Sequence, residues 1–414
     1  DNDALFYRWD FGDGTEAAYG KTISHTYFLG SGSTFVVTCT AVDGRGGSAE
    51  ATIPVAVEGS DDPINSWTQT TLADTGNFSF ATYGDGQFLV GGDGGTLAKR
   101  NAGAAAWTKA GDSGTNQRLF GGVIGGGMRL AVGWLGTVTV SKNDGAWRLA
   151  KGVEFVNIED VIHDGDRFLA VGKGGKVGLS ADGGTWAFHD SGATAWLKHI
   201  TTGGGQYVAV GTRGTVVSSV NGTKWTERNT PTSSGLESVA FGNGRFVAVG
   251  FKGTILYSDN GQRWLTAKSG TTEWLNDVTF GGGIFLTVGA NGTLLTSPDG
   301  KAWLRRSSGT ETSLGGVAFG DRRFIIAGRA GLILESGQLA APPEPPTLTA
   351  TLDKGGKPRL ILAGQAGQLY RVEVSSDLRQ WRVLKLIEGA AEPVEFVDES
   401  AMVERDHFYR TVTP

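Results

Sequence analysis

The stretch "VGFKGTILYSDNGQRW", residues 249–264, decides the fold of most of the chain. It contains a Gly-x-x-Gly, a short run of β-branched and apolar residues, an Asn-Gly pair and a tryptophan. Short runs of this kind, separated by turns that contain glycine, are typical of β-hairpins. The stretch therefore predicts short antiparallel strands joined by two tight turns.

The same pattern recurs through the middle of the chain. Seven tryptophans follow one another at intervals of 39 or 40 residues, namely Trp67, Trp107, Trp147, Trp186, Trp225, Trp264 and Trp303. A Gly-x-x-Gly keeps the same register and ends at Gly95, Gly136, Gly175, Gly214, Gly253, Gly292 and Gly331. Each copy has room for four short strands, as in a β-propeller blade. The repeat therefore predicts a seven-bladed β-propeller over residues 64–338.

The two ends of the repeat indicate how the ring closes. The last copy ends after residues 331–336 without a tryptophan strand, whereas Trp67 stands before the first complete copy. Closure removes the free edges of a sheet ring. We therefore expect the strand of Trp67 to pair beside residues 333–335.

The turn before five of the seven tryptophans invites a functional interpretation, because it carries Ser, Asp or Asn, and Gly; the copies that end at Trp67 and Trp107 have lost it. In the quoted copy it reads Ser258-Asp-Asn-Gly-Gln-Arg-Trp264. Asn-Gly is a favoured type I′ pair, in which both central residues have positive φ. A device repeated around a ring cannot be one active site. We expect scaffold turns, with the tryptophan anchoring each hairpin to the neighbouring sheet.

With these motifs, residues of about 64–338 resemble the Asp-box propellers, and most closely the photosystem-assembly-factor type. The turn is usually one residue shorter than the sialidase Asp-box, and the sialidase Phe/Tyr-Arg-Ile-Pro motif is not in the sequence. The resemblance therefore implies the fold and carries no sialidase chemistry with it.

Residues 1–60 contain "YRWDFGDGT" (residues 7–15) followed by His25-Thr-Tyr27. This segment resembles a PKD domain, which implies an immunoglobulin-type β-sandwich of secreted and surface proteins. Members of that family usually carry more residues before the Tyr-x-Trp strand. The domain is therefore expected to be truncated, or the chain to be a fragment. Asp10 and Asp13 are interpreted as turn caps.

A Pro-rich linker, residues 339–346, precedes a run of short alternating strands over residues 347–414. The alternation predicts a small β-sandwich. It resembles the fibronectin-III-like module that closes many surface proteins of verrucomicrobial and planctomycete type. The whole chain is thus predicted to be all-β, a seven-bladed β-propeller flanked by two small β-sandwich domains.

Composition excludes several classes of function. A net charge of -5 and a pI of about 5.7 give no basic footprint for nucleic acid. No apolar run is long enough for membrane insertion. The sequence shows no phosphate loop, no metal-spaced Cys/His cluster and no Ser/His/Asp motif. We therefore expect no cofactor, no metal and no catalytic residue.

Candidate ligand-binding residues come from the face on which a propeller displays its loops. The aligned repeats place the aromatic candidates in the Gly-x-x-Gly turns or just before the innermost strands: Trp134, Phe251, Trp196 and Trp274. Equivalent positions of three innermost strands hold Asp160, His199 and Asp277. These three are candidates for holding a cation or acting as acid and base, although three separate blades predict a wide span. Further carboxylates occur at Glu159, Glu237 and Glu273.

The sequence favours a non-enzymatic, extracellular or cell-surface bacterial protein that binds a glycan or a protein through the propeller face, as in adhesion. One alternative is a glycoside hydrolase or lyase that uses Asp160, His199 and Asp277. Another is a structural segment of a large surface fibre, whose truncated PKD module assembles with upstream or neighbouring β modules.

Overall fold

The structure, a computed structural model, describes residues 5–12, 17–23, 25, 33–43, 47–57, 62–150, 153, 157–340, 347–355, 357–364, 369–376, 381–388, 390, 392–398, 401 and 407–412. These residues form 38 β-strands and seven single 3-10 turns, so the protein is all-β as predicted. None of the described segments is a helix with the length and apolar character needed to cross a membrane. The chain divides into two compact units, Asp1–Ala340 and Ala341–Pro414.

The first unit begins with one four-stranded antiparallel sheet in the order β2-β1-β3-β4. Its strands are β1 (Phe6–Asp10), β2 (Ala18–Tyr19), β3 (Ser33–Val42) and β4 (Ser48–Val57). The indole Nε1–H of Trp9 donates to the Gly20 carbonyl at 2.9 Å, and Phe11 is 6% exposed. Asp10 accepts the Gly12 N–H at 3.0 Å, which confirms its role as a turn cap. Asp13 lies outside the described residues.

The rest of this unit consists of seven four-stranded antiparallel sheets. Sheet 1 contains β6–β9, sheet 2 β10–β13, sheet 3 β14–β17, sheet 4 β18–β21, sheet 5 β22–β25, sheet 6 β26–β29, and sheet 7 β30–β32 with β5. The strands are β5 (Trp67–Thr71), β6 (Phe78–Gly84), β7 (Gln87–Gly92), β8 (Leu97–Asn101), β9 (Thr108–Lys109), β10 (Leu119–Gly125), β11 (Met128–Gly133), β12 (Val138–Lys142), β13 (Arg148–Leu149), β14 (Ile158–His163), β15 (Phe168–Gly172), β16 (Lys176–Ser180), β17 (Ala187–Asp190), β18 (Leu197–Gly203), β19 (Gln206–Gly211), β20 (Val216–Ser219), β21 (Thr226–Arg228), β22 (Leu236–Gly242), β23 (Arg245–Gly250), β24 (Ile255–Ser258), β25 (Leu265–Ala267), β26 (Leu275–Gly281), β27 (Ile284–Gly289), β28 (Leu294–Ser297), β29 (Leu304–Arg306), β30 (Leu314–Gly320), β31 (Arg323–Gly328) and β32 (Leu332–Ser336).

The first strands of these sheets contact one another in cyclic order, from β6 through β10, β14, β18, β22 and β26 to β30. The cycle is complete because β30 also contacts β6. Apolar residues fill the space between successive sheets, as in the cluster that joins Val208 of sheet 4 to Phe246 of sheet 5. The sheets therefore stand radially around an axis, which is the architecture of a β-propeller.

The ring closes as predicted. β5 pairs antiparallel with β32, with Thr70 opposite Ile333 and Thr68 opposite Glu335. The Glu335 carboxylate also forms ion pairs with Arg100 of sheet 1 and Arg323 of sheet 7. The seam between the earliest and latest parts of the ring is thus held by a β-ladder, by apolar packing and by buried charge.

The tryptophan anchors are confirmed, with two corrections to the predicted hairpin. Trp264 is 4% exposed and packs in the cluster between sheets 4 and 5, but it lies just before β25 and not within it. The type I′ prediction is wrong, because Gly261 has φ 64° while Asn260 does not have positive φ. Instead, Asn260 Oδ1 accepts the N–H groups of Gln262 and Arg263 at 3.0 Å. The side chain, and not a left-handed backbone, makes this turn.

Each Gly-x-x-Gly forms a 3-10 turn between the second and third strand of its sheet. In the turn between β23 and β24, both glycines are required by close approach of the backbone. A Cβ on Gly250 would lie 2.1 Å from the carbonyl oxygen of Gly235. A Cβ on Gly253, which has φ +65°, would lie 2.0 Å from that of Thr271. The turns are Asp93–Gly95, Trp134–Gly136, Lys173–Gly175, Thr212–Gly214, Phe251–Gly253, Ala290–Gly292 and Arg329–Gly331.

The second unit contains two three-stranded antiparallel sheets, β33-β34-β37 and β36-β35-β38. Its strands are β33 (Thr347–Leu352), β34 (Pro358–Ala363), β35 (Leu369–Ser375), β36 (Arg382–Glu388), β37 (Val394–Val397) and β38 (Phe408–Val412). Side chains of both sheets share one core, formed by Leu360, Leu362, Tyr370, Val372, Ile387 and Phe396. This arrangement is the small β-sandwich that the alternation predicts.

Candidate binding site at the channel mouth

The first strands of the ring surround a cavity of 760 Å³ along the axis. Each first strand carries a β-bulge immediately after its first residue. In sheet 3, Ile158 pairs with Gly172 and Asp160 with Val171, so that Glu159 is the extra residue. Bulges re-aim side chains and are common beside functional sites. The seven bulge residues all line the cavity: Ser79, Phe120, Glu159, Lys198, Glu237, Asn276 and Gly315.

In sheets 3 to 6 the side chain of the residue after the bulge points to the next sheet. In four successive sheets it accepts a backbone N–H from the residue forty positions ahead: Asp160 from Ile200 at 3.0 Å, His199 from Val239 at 3.4 Å, Ser238 from Val278 at 3.2 Å, and Asp277 from Val317 at 2.8 Å. A buried N–H without an acceptor is costly, so these side chains satisfy the backbone at the bulges. We call these four residues the inter-sheet belt.

The belt brings Asp160, His199 and Asp277 together. His199 Nε2 lies 3.5 Å from Asp160 Oδ2 and 3.9 Å from Asp277 Oδ1, so the expected wide span is wrong. The reason is that each side chain reaches along the ring toward the following sheet. Burial raises the pKa of Asp160 and of Asp277, and the adjacent imidazole offsets part of each rise. Their hydrogen bonds to the backbone give both carboxylates a structural role.

The bulge residues of three successive sheets, Glu159, Lys198 and Glu237, are all charged. Lys198 Nζ lies 2.8 Å from Glu159 Oε2, and the Glu159 side chain is 5% exposed. Burial raises the pKa of the Glu159 carboxyl, although the neighbouring Lys198 and the indole of Trp196 lower it. Burial also raises the pKa of Glu237 to about 7, where Lys198 lowers it and Glu159 raises it. Glu159, Lys198 and Glu237, which we call the bulge triad, therefore form one electrostatic cluster.

The aromatic candidates lie on the face that carries the 3-10 turns. Trp274 is 48% exposed, lines the cavity and packs against Phe251 of the preceding sheet, with ring centroids 4.0 Å apart and ring planes tilted by 37°. Trp134 is 46% exposed, and its ring meets that of Phe120 edge-on at 6.0 Å. The face thus presents two aromatic pairs, and each places one ring at the cavity, Phe120 in one pair and Trp274 in the other.

Trp196 differs from Trp274, although the repeats align them. It is half-buried, with the Lys198 ammonium 4.5 Å from its ring centroid and Lys173 at 5.9 Å. Its Nε1 is buried without a hydrogen-bond partner. The ring is therefore covered by lysines, and among the aligned pair Trp274 is the exposed platform.

Exposed cations occupy the middle positions of several turns on this face, at Lys173, Arg213, Lys252 and Arg329. Arg118, also at the mouth, pairs with Asp93 at 3.2 Å and donates to Ser79. Glu273 accepts a hydrogen bond from Asn291 at 2.9 Å. The turns around the cavity mouth, which we call the rim, are accordingly rich in basic side chains. The bulge and belt positions below them hold four carboxyls, those of Glu159, Asp160, Glu237 and Asp277.

The bulge triad is not predicted from the sequence. Glu159 and Glu237 stand out there only as carboxylates near the same loops, and Lys198 does not stand out. A signal was present, because all bulge residues follow the first apolar residue of their strand in the repeat. The spacing of the repeat does not reveal the bulge itself, and it is the bulge that turns these side chains to the channel.

The comparisons with known proteins agree with this architecture. Residues 1–58 match the family model of the PKD domain. No curated protein matches the chain in sequence. Among solved structures, YCF48 bound to D1 peptide is 18% identical, with a TM-score of 0.56 over 66% of this chain and 95% of its own. A catalytically inactive virginiamycin B lyase from Staphylococcus aureus with quinupristin is 12% identical, with a TM-score of 0.58 over 66% of this chain and 99% of its own.

The WD40 β-propeller domain of Doa1 is similar to the same extent, at 12% identity and a TM-score of 0.55 over 66% of this chain and 96% of its own. Identities this low show the fold alone. The chain is therefore an all-β protein with a PKD domain at its N-terminal end and a β-propeller in its middle.

Proposed function

We propose that this protein is a non-catalytic binding protein, and that its propeller takes a segment of a partner protein on the face that carries the 3-10 turns. The observation that carries the proposal is the exposed Trp274, which lines the edge of the axial cavity and packs on the half-buried Phe251. A large exposed aromatic side chain beside a concavity is typical of the centre of a recognition surface.

The scaffold under this face supports the proposal. The glycines of each turn are fixed by backbone contacts, while the residues between them differ from sheet to sheet, from Trp134 to Lys252 to Arg329. Because the fold does not depend on these side chains, they can differ in a way that suits a ligand while the ring stays the same. Aromatic and basic side chains together favour a protein segment with apolar and acidic residues.

A peptide is the favoured class of ligand, because one similar propeller, YCF48, has been solved bound to D1 peptide. Exposed tryptophans can also stack on sugar rings, so a glycan is the alternative class of ligand that the test must distinguish from a peptide. The N-terminal PKD domain is typical of extracellular proteins, which supports a secreted or cell-surface location. The Asp-box character of the repeat and a fibronectin-III-like nature of residues 347–414 belong to the same proposal.

The test is a peptide-display selection on the complete 414-residue chain, with a glycan array in parallel. We expect selected peptides to lose at least about tenfold in affinity for a Trp274→Ala/Phe251→Ala variant. Tyr19→Ala, an exposed aromatic change in the N-terminal sheet, is the matched control and should leave affinity unchanged. Peptides that bind the double variant as tightly as the unaltered chain contradict the proposal. Binding on the glycan array alone moves the ligand class to glycans.

A second candidate is a hydrolase or lyase, favoured by the position of His199 between Asp160 and Asp277. An imidazole flanked by two carboxylates suits proton transfer. Turnover of a polysaccharide panel by the complete chain, lost in Asp277→Asn while the protein stays folded, would establish it. If no polysaccharide is turned over, the hydrogen bonds of the inter-sheet belt are enough to explain why Asp160, His199 and Asp277 lie together.

A further inference from the structure

The exposed tryptophans of the chain lie on one face of the ring, at opposite sides of the channel mouth. The structure describes all 12 tryptophans, and only Trp134 and Trp274 are exposed. Trp134 belongs to the 3-10 turn of sheet 2, and Trp274 directly precedes β26 of sheet 6. In a ring of seven sheets, these two are three steps apart one way and four the other, which is the greatest separation possible. Because tryptophan is highly buried on average, this pair marks two separate contact points.

Each exposed tryptophan belongs to a wider apolar patch. In the sheet-2 patch, Leu135 is 60% exposed beside Trp134, and the Phe120 ring meets that of Trp134 edge-on at 6.0 Å. In the sheet-6 patch, Trp274 packs on Phe251. One small apolar patch on a protein surface needs no ligand to explain it. Two patches on the same face, at opposite sides of one cavity, favour a single ligand that contacts both.

The turns between the two patches carry one exposed cation each. From sheet 3 to sheet 5 these are Lys173, Arg213 and Lys252, and we call the three turns the basic arc. Within the described residues, Arg213 donates to Thr194 Oγ1 at 3.3 Å, and none of the three cations forms an ion pair. The chain as a whole has a net charge of -5, so the basic arc is a local concentration of positive charge. Its charge is complementary to an acidic ligand.

The other paths between the patches suit an acidic ligand less well. The opposite way round the ring passes Arg329 in the turn of sheet 7, but Asp93 in the turn of sheet 1. A straight path across the mouth passes over the carboxyls of Glu159 and Glu237, which line the cavity. Like charges brought close together repel each other. The charges therefore favour the path along the basic arc.

We propose that the partner segment is an acidic stretch with an apolar side chain at each end, and that it follows the basic arc from the sheet-2 patch to the sheet-6 patch. Each apolar end contacts one patch, and the acidic residues between them face Lys173, Arg213 and Lys252. This rests on the proposed function and goes beyond it, because the proposed function needs only the contact with Trp274.

The path sets the length of the acidic stretch. Sheets packed face to face lie about 10 Å apart, so the four steps from sheet 2 to sheet 6 cover about 40 Å. An extended chain covers about 3.3 Å per residue, which gives a stretch of about 12 residues. A straight crossing needs only about 7 residues, because a ring of seven such steps is about 22 Å across. Two contacts joined by a linker bind most tightly when the linker matches the span, and affinity falls for shorter and longer linkers.

The first experiment measures the affinity of synthetic peptides for the complete chain by isothermal titration calorimetry. Each peptide has a tryptophan at both ends of an Asp-Ser repeat, whose length runs from about 4 to about 16 residues. We expect the tightest binding near about 12 residues, at least about tenfold tighter than that of a peptide with one tryptophan. Trp134→Ala should reduce the affinity of the two-tryptophan peptide to that of the one-tryptophan peptide.

The second experiment tests the charge of the basic arc. A Lys-Ser repeat in place of the Asp-Ser repeat should lower the affinity by at least about tenfold. Arg213→Ala should weaken binding of the Asp-Ser peptide about threefold, the size expected for one exposed ion pair. Arg263→Ala is the matched control and should leave the affinity unchanged, because this exposed arginine lies in the turn at the other end of β24.

Three results would overturn the path along the basic arc. They are an optimum near about 7 residues, a second tryptophan that adds no affinity, and a Lys-Ser peptide that binds as tightly as the Asp-Ser peptide. Peptides from the display selection that lose affinity for Trp274→Ala/Phe251→Ala but not for Trp134→Ala also overturn it, and they leave the proposed function standing. If neither synthetic nor selected peptides bind the chain, the path and the proposed function are both wrong.

Discussion

The carboxylate of Asp277 accepts the backbone N–H of Val317, in the next sheet of the ring, at 2.8 Å. Its other oxygen accepts from Ser238 Oγ at 2.6 Å and from the Val278 N–H at 2.8 Å. One side chain thus ties three successive sheets together at their bulges. A residue that the sequence offered as a catalytic candidate is also a structural connection.

Replacing Asp277 with alanine should therefore destabilise the ring. The Val317 N–H would be left buried without an acceptor, which costs about 1–3 kcal/mol. Asp259→Ala is the control, because Asp259 is 68% exposed and pairs with Arg245 at the surface, where such pairs contribute up to about 1 kcal/mol. The measurement is the urea unfolding of both variants. Equal losses for Asp277 and Asp259 would show that the belt contributes nothing to stability.

The stability of the protein should depend on the ionisation of Glu237. Its pKa rises from 4.5 to about 7 on folding, so between these values the folded state binds the proton and the unfolded state releases it. The free energy of unfolding then falls as pH rises through this window, by up to about 3 kcal/mol, and is flat above it.

Glu237→Gln removes this dependence, because glutamine imitates the protonated carboxyl at every pH. The variant should match the unaltered chain at about pH 4, below the pKa of the unfolded state, and exceed it in stability at about pH 8. Urea unfolding at both pH values measures the difference, with Glu227→Gln as the control. A variant that loses stability between these pH values as steeply as the unaltered chain contradicts the pKa of Glu237.

The second glycine of each 3-10 turn should be irreplaceable for two separable reasons. Gly253 has φ +65° and would place a Cβ 2.0 Å from the Thr271 carbonyl oxygen, whereas Gly270 has φ +70° and open space around it. Gly270→Ala should cost only the left-handed backbone, about 1–2 kcal/mol. Gly253→Ala should cost about 1–3 kcal/mol more, because the turn must move. Thermal unfolding of the two variants compares them directly, and similar losses would rule out the steric part.

The seam of the ring should depend on Glu335. This carboxylate pairs with Arg100, whose side chain is 5% exposed, and with Arg323. Glu335→Ala leaves a buried guanidinium without its partner and should cost about 3–5 kcal/mol. The Lys176–Asp190 pair is the comparison, since Asp190 is 73% exposed and Asp190→Ala should cost less than about 1 kcal/mol. Limited proteolysis should open the Glu335→Ala ring first at β5, and a seam as resistant as that of Asp190→Ala would contradict this assignment.

Local periodicity was enough to predict the ring and its closure. Trp264 and its equivalents recur at the interval of one sheet, and the unpaired ends of the repeat leave β32 and β5 as the only complementary strands. The geometry of the turn could not be predicted from the sequence. Asn-Gly favours type I′ in isolation, whereas here Asn260 Oδ1 caps the turn. Sequence propensity could not weigh that side-chain hydrogen bond against the backbone preference.

The amino-acid sequence by itself determined the all-β class, the repeated four-strand unit, the positions of the packing tryptophans and the aromatic residues on one face. These follow from contacts within one repeat or between adjacent repeats, whose spacing is fixed along the chain. Only the tertiary structure decided that Glu159, Lys198 and Glu237 face the channel and that Asp160, His199 and Asp277 approach one another. The reason is that a bulge re-aims side chains by one position, and only closure of the ring brings residues of separate sheets to the same axis.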